Sequence, residues 1–277
     1  MCLGLHAAPL SRLRPHLAPG QRLICLMRDG AAVGELAANL VAQGFGPSLM
    51  HGMEALGGPR EKCWKITAEA FVLTDMSVPV SVAIEAFGAP GLPRASGLPD
   101  ACFAHDGQIT KRPIRALTLS ALAPRPGEIL WDIGSGSGSI AIEFLLAAPG
   151  STAHAVESDP TRAARAQENA ESFGLGHRFH LTQTRAPEGL QTLPRPDVVF
   201  IGGGASEALF EALWPLIPDG GRLVANAVTL ETEAVLAQWQ ATRGGALLRI
   251  ELAEVTPLGS RRGWQPLRPV VQWSVVK

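Results

Sequence analysis

Residues Trp131-Asp132-Ile133-Gly134-Ser135-Gly136-Ser137-Gly138 decide the fold of this chain. Just before them, Glu128-Ile129-Leu130 reads as a short apolar strand entering a core. Just after them, Ser139 to Ala147 reads as a helix that buries Ile142, Leu145 and Leu146. A strand that turns through three alternating glycines into a helix lets a ligand approach bare backbone. Glycine accepts positive φ and has no Cβ to block that approach. The helix N-terminus adds unpaired N–H groups, so a nucleotide-type ligand is expected here.

Two ligands compete for the loop. Gly136-x-Gly138-x-x-Ala141 fits the G-x-G-x-x-A variant of the dinucleotide fingerprint, which suits NAD. Two features favour S-adenosylmethionine (SAM). Asp132 stands at the strand end two positions before the first glycine, where its carboxylate can face the ligand's ammonium group. The run D-x-G-x-G-x-G also starts one glycine earlier than NAD enzymes need. The next strand, Thr152 to Glu157, ends in an acid placed to accept two ribose hydroxyls.

Composition bounds the rest. The 277 residues allow one large domain or two smaller ones. A hydrophobic share of 46% with 18% charged residues describes a soluble globular protein. The net charge of −1 argues against a nucleic-acid partner, which demands a basic face. Cys2, Cys25, Cys63 and Cys102 are far apart and read as reduced thiols of a cytoplasmic protein. No apolar run reaches the ~20 residues of a membrane helix, so no membrane partner is expected. The first acid is Asp29, and the arginines before it resemble a targeting peptide in composition. Residues 21–27 look like a folded strand, however, and the folded reading is preferred.

Taken in order, residues 1–20 show no clear pattern. Strands are expected over 21–27, 48–53, 63–66 and 78–86, with a helix over 31–43 marked by Val33, Leu36, Leu40 and Val41. Phe87 to Asp100 is rich in glycine and proline and reads as a linker. The expected division is a domain over 1–92, a linker over 93–100 and a second domain over 101–277. The first is thin for an autonomous core. In the second, Thr110 is the expected N-cap of a helix with Pro113 in its first turn. From residue 128, seven strands alternate with helices, and the last two strands form an antiparallel hairpin. The expected fold is therefore α/β: a Rossmann-like, mostly parallel seven-stranded sheet of the class I SAM-dependent methyltransferase kind, preceded by a partial α/β lobe.

Five segments in order carry a resemblance. Gly107-Gln108-Ile109-Thr110-Lys111, the Asp132–Gly138 loop, Ala186-Pro187-Glu188, Phe200-Ile201-Gly202-Gly203-Gly204 and Asn226-Ala227-Val228-Thr229-Leu230-Glu231 resemble the decarboxylating precorrin C15-methyltransferases of cobalamin biosynthesis. Residues 1–92 resemble the C-terminal lobe of the precorrin C5-methyltransferases, through Leu5-His6, Arg28-Asp29-Gly30 and Glu54-Ala55-Leu56-Gly57. Fused C5,15 enzymes join the two units in this order. The first lobe of the C5 unit is absent before Met1, so the chain reads as a truncated fusion or a mis-started gene, with C5 methylation in question. The resemblance implies that the second domain methylates C15 of a precorrin-6B-type tetrapyrrole and releases CO2 from its C12 acetate. It places SAM contacts at Thr110, at Gly134, Ser135, Gly136, Ser137 and Gly138, at Glu157 and at Ala186.

The implied chemistry asks for orientation rather than for a catalytic base. Methyl transfer is an in-line displacement, and electron-rich pyrrole carbons need little activation. No nucleophilic triad or metal-ligand cluster stands out, and no catalytic residue is assigned. A substrate with many carboxylates does need cations. Lys111, Arg112 and Arg115 near the entrance, and Arg185, Arg261, Arg262 and Arg268 near strand ends, are the candidates. Arg261-Arg262-Gly263-Trp264 attracts notice as a cation pair beside an aromatic. Gly202 and Gly203 suggest room for a flat macrocycle, and Asn226 is a further substrate candidate. The alternatives are a methyltransferase of another small molecule or of RNA, or an inactive SAM-binding subunit. Self-association as a homo-oligomer is expected.

Overall fold

Alternating burial along Arg22–Leu26 and Val80–Glu85 builds the first of three sheets. The computed structural model describes residues 1–277 and divides them into two units, Met1–Pro93 and Arg94–Lys277. In the first unit the strands are β1 (Cys2–Gly4), β2 (Arg22–Leu26), β3 (Leu49–Glu54), β4 (Lys62–Thr67) and β5 (Val80–Glu85). They lie in the order β1-β2-β5-β3-β4, with only β1 and β2 parallel. Helix α1 (Gly30–Ala42) starts where the Asp29 carboxylate accepts the Ala32 N–H at 2.8 Å. It lays Val33, Leu36 and Leu40 into one core with Leu23, Val82 and Ile84. Leu5, Leu13 and Leu17 join that core, so the N-terminal stretch without a readable pattern is ordered by β1 and a 3-10 helix over Leu10–His16. Its apolar residues are too irregularly spaced to reveal this. Glycine is needed at Gly52, because the Trp64 ring lies 1.9 Å from where a Cβ would stand.

The second unit contains α2 (Arg112–Leu122), β6 (Ile129–Ile133), α3 (Ser139–Ala147), β7 (Thr152–Glu157), α4 (Pro160–Ser172) and β8 (Phe179–Gln183). Then follow β9 (Val198–Ile201), α5 (Glu207–Leu213), β10 (Arg222–Ala227), α6 (Leu230–Arg243), β11 (Ala246–Ile250), β12 (Ala253–Leu258), β13 (Arg261–Pro266) and β14 (Val270–Val276). Seven strands make one sheet in the order β11-β14-β10-β9-β6-β7-β8. The five from β10 to β8 are parallel, and β14 runs antiparallel between β10 and β11. This is the expected mostly parallel α/β sheet. Every residue of β9 is buried, as a central strand covered on both faces requires. Trp273, Phe210 and Trp239 fill the core beside it.

Two departures matter. The last two strands of the sheet, β11 and β14, pair antiparallel as expected but are not a simple hairpin, because β12 and β13 form a separate two-stranded ribbon between them. Within the second unit, Gly97 and Leu98 from the proline- and glycine-rich stretch donate backbone N–H groups to the Glu143 carboxylate at 2.6 and 3.0 Å.

Candidate active site

Strand order reverses at β6: the chain runs outward through β7 and β8, then returns to place β9 and β10 on the other side. The two sets of connections part above the carboxyl ends of β6 and β9, which opens a crevice in sheets of this kind. A cleft of about 1050 Å³ lies there.

The glycine loop forms its floor. At Gly134, with φ +69°, a Cβ would stand 2.8 Å from backbone atoms of Gly203, so only glycine lets the loop cross the end of β9. A Cβ on Gly136 would meet nothing within 4 Å, which leaves that turn open toward the cleft. Gly134, Ser135, Gly136 and Ser137 all line the cleft. Gly138 does not; it is the N-cap of α3 and packs beside Ala166.

Glu157 stands at the end of β7 with 6% exposure. One carboxylate oxygen accepts the Gly136 N–H at 2.9 Å and the other the Asp159 N–H at 3.0 Å. A carboxylate offers about four acceptor positions, so two remain for a pair of hydroxyls. The Ser135 hydroxyl beside it is buried without a hydrogen-bond partner. Open glycine backbone, an orphaned hydroxyl and a carboxylate with spare capacity suit the ribose and amino-acid portions of SAM. Ala186 lines the same side, after β8.

Asp132 corrects one expectation. Its neighbour Ile133 lines the cleft, and successive strand residues point to opposite faces. Asp132 is fully buried and outside that lining; one carboxylate oxygen accepts the Ala141 N–H of α3 at 3.3 Å and the other has no partner. Burial, reinforced by the nearby Glu157 charge, pushes its carboxyl up to about 7. It ties strand to helix.

Residues 107–111 form a strap along the cleft. Arg162 donates to Asp106 at 3.1 Å and to Gln108 at 2.7 Å, and Arg165 pairs with Asp106 at 3.2 Å. The Gln108 backbone N–H, then these guanidiniums, hold the Asp106 carboxyl down to about 2. The Asn169 amide brackets Ala104 and also donates to the Ser137 carbonyl at 2.9 Å, which joins the strap to the glycine loop. Thr110 and Lys111 line the cleft, but Lys111 rather than Thr110 is the N-cap of α2. The Thr110 carbonyl is instead taken by the Arg115 guanidinium.

The candidate cations sort themselves by position. Arg115 is fully buried and pairs with Glu143 and Asp100, so it is no substrate ligand. Arg261 and Arg262 lie on the exposed ribbon strand β13 and do not reach the cleft, which corrects their assignment to substrate. β13 pairs only with β12, and the adjacent Trp264 is 73% exposed. Arg112 is also outside the lining. Lys111, Arg185 and Arg268 do line it, together with Gly202, Gly203 and Asn226. Gln108 and Arg162 were missed; an acid and an amide just ahead of Thr110 were the available signal for such a clamp.

A parallel sheet in this order, with a glycine loop after its first strand and an acid ending the second, defines a class I SAM-dependent methyltransferase. The precorrin methyltransferase domain family matches residues 101–277. A precorrin-6Y C(5,15)-methyltransferase (decarboxylating) from Sinorhizobium is 50% identical over 280 residues, 99% of this chain and 67% of that protein. A probable cobalt-precorrin-6B C(15)-methyltransferase from Pyrobaculum aerophilum is 34% identical over 66% of this chain and 94% of that one. The crystal structure of the C-terminal domain of precorrin-6Y C5,15-methyltransferase from Rhodobacter capsulatus aligns with a TM-score of 0.65 at 51% identity, covering 67% of this chain and all of that one. The chain belongs to the precorrin methyltransferase family. That membership bears out the resemblance carried by the five motifs and decides for SAM over NAD.

Proposed function

We propose that the Arg94–Lys277 unit transfers a methyl group to C15 of a precorrin-6B-type tetrapyrrole and releases CO2 from the C12 acetate. The cleft carries this reading, because its two banks differ in chemistry. The ends of β6, β7 and β8 supply open glycine backbone, Glu157 and Ala186. The ends of β9 and β10, with the residues that flank the ribbon and the start of β14, supply Gly202, Gly203, Asn226, Leu252, Leu267 and Val270. When bound, SAM supplies an electrophilic methyl group. On the first bank, Glu157 accepts the ribose hydroxyls, and the 134–137 backbone and Thr110 hold the remaining polar groups. On the second, the small residues 202–204 leave space for a ring, and apolar Leu252, Leu267 and Val270 support it. Residues 107–111 of the strap line the cleft beside them. Holding two reactants in line in such a cleft can by itself contribute about 7–11 kcal/mol to lowering a barrier.

The Met1–Pro93 unit is proposed to be the C-terminal lobe of the C5-methylating part. A cytoplasmic location is proposed from the family's biosynthetic role; separately, no helix is long and apolar enough to cross a membrane. Self-association is proposed from the exposed apolar residues Val255, Leu258 and Trp264 of the β12–β13 ribbon, and light scattering checks it. For the reaction, carbon dioxide released from a carboxyl-labelled substrate is the direct test. Release that depends on SAM supports the assignment, and release without SAM, or none with it, contradicts it.

A further inference from the structure

The second bank contains a hydrogen-bond network that none of the methyl-transfer roles uses. Thr118 of α2 is fully buried, and its hydroxyl lies 2.8 Å from the Ile114 carbonyl one turn earlier. That carbonyl takes the hydroxyl hydrogen, so the Thr118 oxygen is left to accept. It accepts from the Asn226 amide nitrogen at 3.0 Å and from the Gln272 amide nitrogen at 3.1 Å. Gln272, buried in β14, also donates to the Asn226 amide oxygen at 2.9 Å. Each distance agrees with the others on which way both amides face. Asn226 is thereby fixed, with its oxygen toward Gln272 and one N–H toward Thr118. One N–H of Asn226 remains unspent, and Asn226 is half-buried at the wall of the cleft.

Besides Arg185 after β8, two cations line the cleft without a counter-ion. Lys111, at the N-cap of α2, and Arg268, just before β14, line the cleft and form no ion pair, whereas Arg162 at the strap is fully engaged. Ile114, Leu252 and Val270 line the same cleft and pack with Ile250 into a small apolar cluster. A fixed amide donor, two unpaired cations and an apolar floor recognise a flat molecule with carboxylates at its margin.

We propose that Asn226, held by Thr118 and Gln272, forms with Lys111 and Arg268 the subsite for a peripheral carboxylate of the tetrapyrrole. This inference rests on the proposed methylation of a precorrin. Asn226, Lys111 and Arg268 touch the substrate, and Gln272 acts through Asn226 as a positioning residue. SAM binds the opposite bank and is indifferent to all four.

The test is equilibrium binding of precorrin-6B, followed by absorbance in the presence of S-adenosylhomocysteine, to the full chain and to variants Arg268→Gln, Asn226→Ala and Gln272→Met. The expected result is weaker binding by about tenfold for Arg268→Gln and Asn226→Ala. Gln272→Met preserves the packing volume and is expected to weaken binding several-fold and to raise KM more than it lowers kcat. SAM affinity by calorimetry stays at the wild-type value in all three, which separates the subsite from a general loss of folding. Variants that bind precorrin-6B as tightly as the wild type overturn the proposal, as do variants that lose SAM and precorrin affinity in parallel. Failure of the wild type to methylate precorrin-6B while the variants still lose its binding would overturn the reaction and leave the subsite standing.

Discussion

Arg115 and Glu143 form a buried ion pair at 2.5 Å, and it joins three parts of the second unit. The guanidinium also donates to the carbonyls of Thr110 and Leu98 and to Asp100, and it lies 4.9 Å over the Phe103 ring. The second Glu143 oxygen takes the Gly97 N–H. Removing Glu143 leaves the buried guanidinium with Asp100 as its one counter-ion and strands the Gly97 and Leu98 N–H groups, a break of the kind that costs about 3–5 kcal/mol. Glu143→Leu is therefore expected to lower stability by that amount in urea unfolding. Replacing both partners with apolar residues removes the buried charge but leaves the Gly97 and Leu98 N–H groups unpaired, so it should recover only part of the loss.

Glu157 is the residue on which SAM affinity should depend most. Hydrogen bonds to a charged group contribute about 1.5–3 kcal/mol, equivalent to roughly ten- to hundredfold in affinity. Glu157→Ala should lose at least tenfold in SAM binding by calorimetry, while Arg261→Gln, on the ribbon, should lose none. Equal losses in both would remove Glu157 from the site.

Asp132 sets a pH dependence of known sign. Its carboxyl titrates near 7 in the folded protein, above the ordinary carboxylate value near 4 that an unfolded chain shows. Between those limits the unfolded state gives up its proton and the folded state keeps it. Stability from this group therefore falls as pH rises from about 4 to 7, by at most roughly 1.4 kcal/mol per pH unit, and levels off above. Asp132→Asn removes that slope. Urea midpoints at pH 5 and pH 8 should diverge more for the wild type than for the variant, and identical divergence would refute the assignment.

Gly52 gives a prediction for the first unit. The Trp64 indole lies over it and is anchored by an N–H bond to Glu54 at 2.8 Å. Gly52→Val forces ring or strand to move, a form of overpacking that costs about 1–3 kcal/mol. Thermal unfolding of the variant checks this, and Trp64→Ala in the same chain should remove most of the penalty.

The parts of this molecule written locally were legible in the sequence. The strand, glycine turn and helix around Gly134 form a continuous pattern, and so do the strand–helix alternations that order the sheet. Glu157 was found because its distance from the loop follows from one crossover helix. Features created by distant contacts were hidden. Gln272 meets Thr118 across 154 residues, and nothing in either segment announces it. Arg115 looked like a surface cation because its buried partners lie on other elements. Asp132 was placed on the wrong side because the periodicity of one short strand does not say which face meets the cleft. Arg261 and Arg262 misled because a cation pair beside a tryptophan looks the same on a free ribbon as in a pocket.

The most direct test of the account is the mass of the product formed from precorrin-6B and SAM by the full chain. Gain of one methyl group with loss of one CO2 is the predicted result. Product that carries the methyl group but retains every carboxylate, or substrate recovered unchanged while SAM is bound, would contradict it.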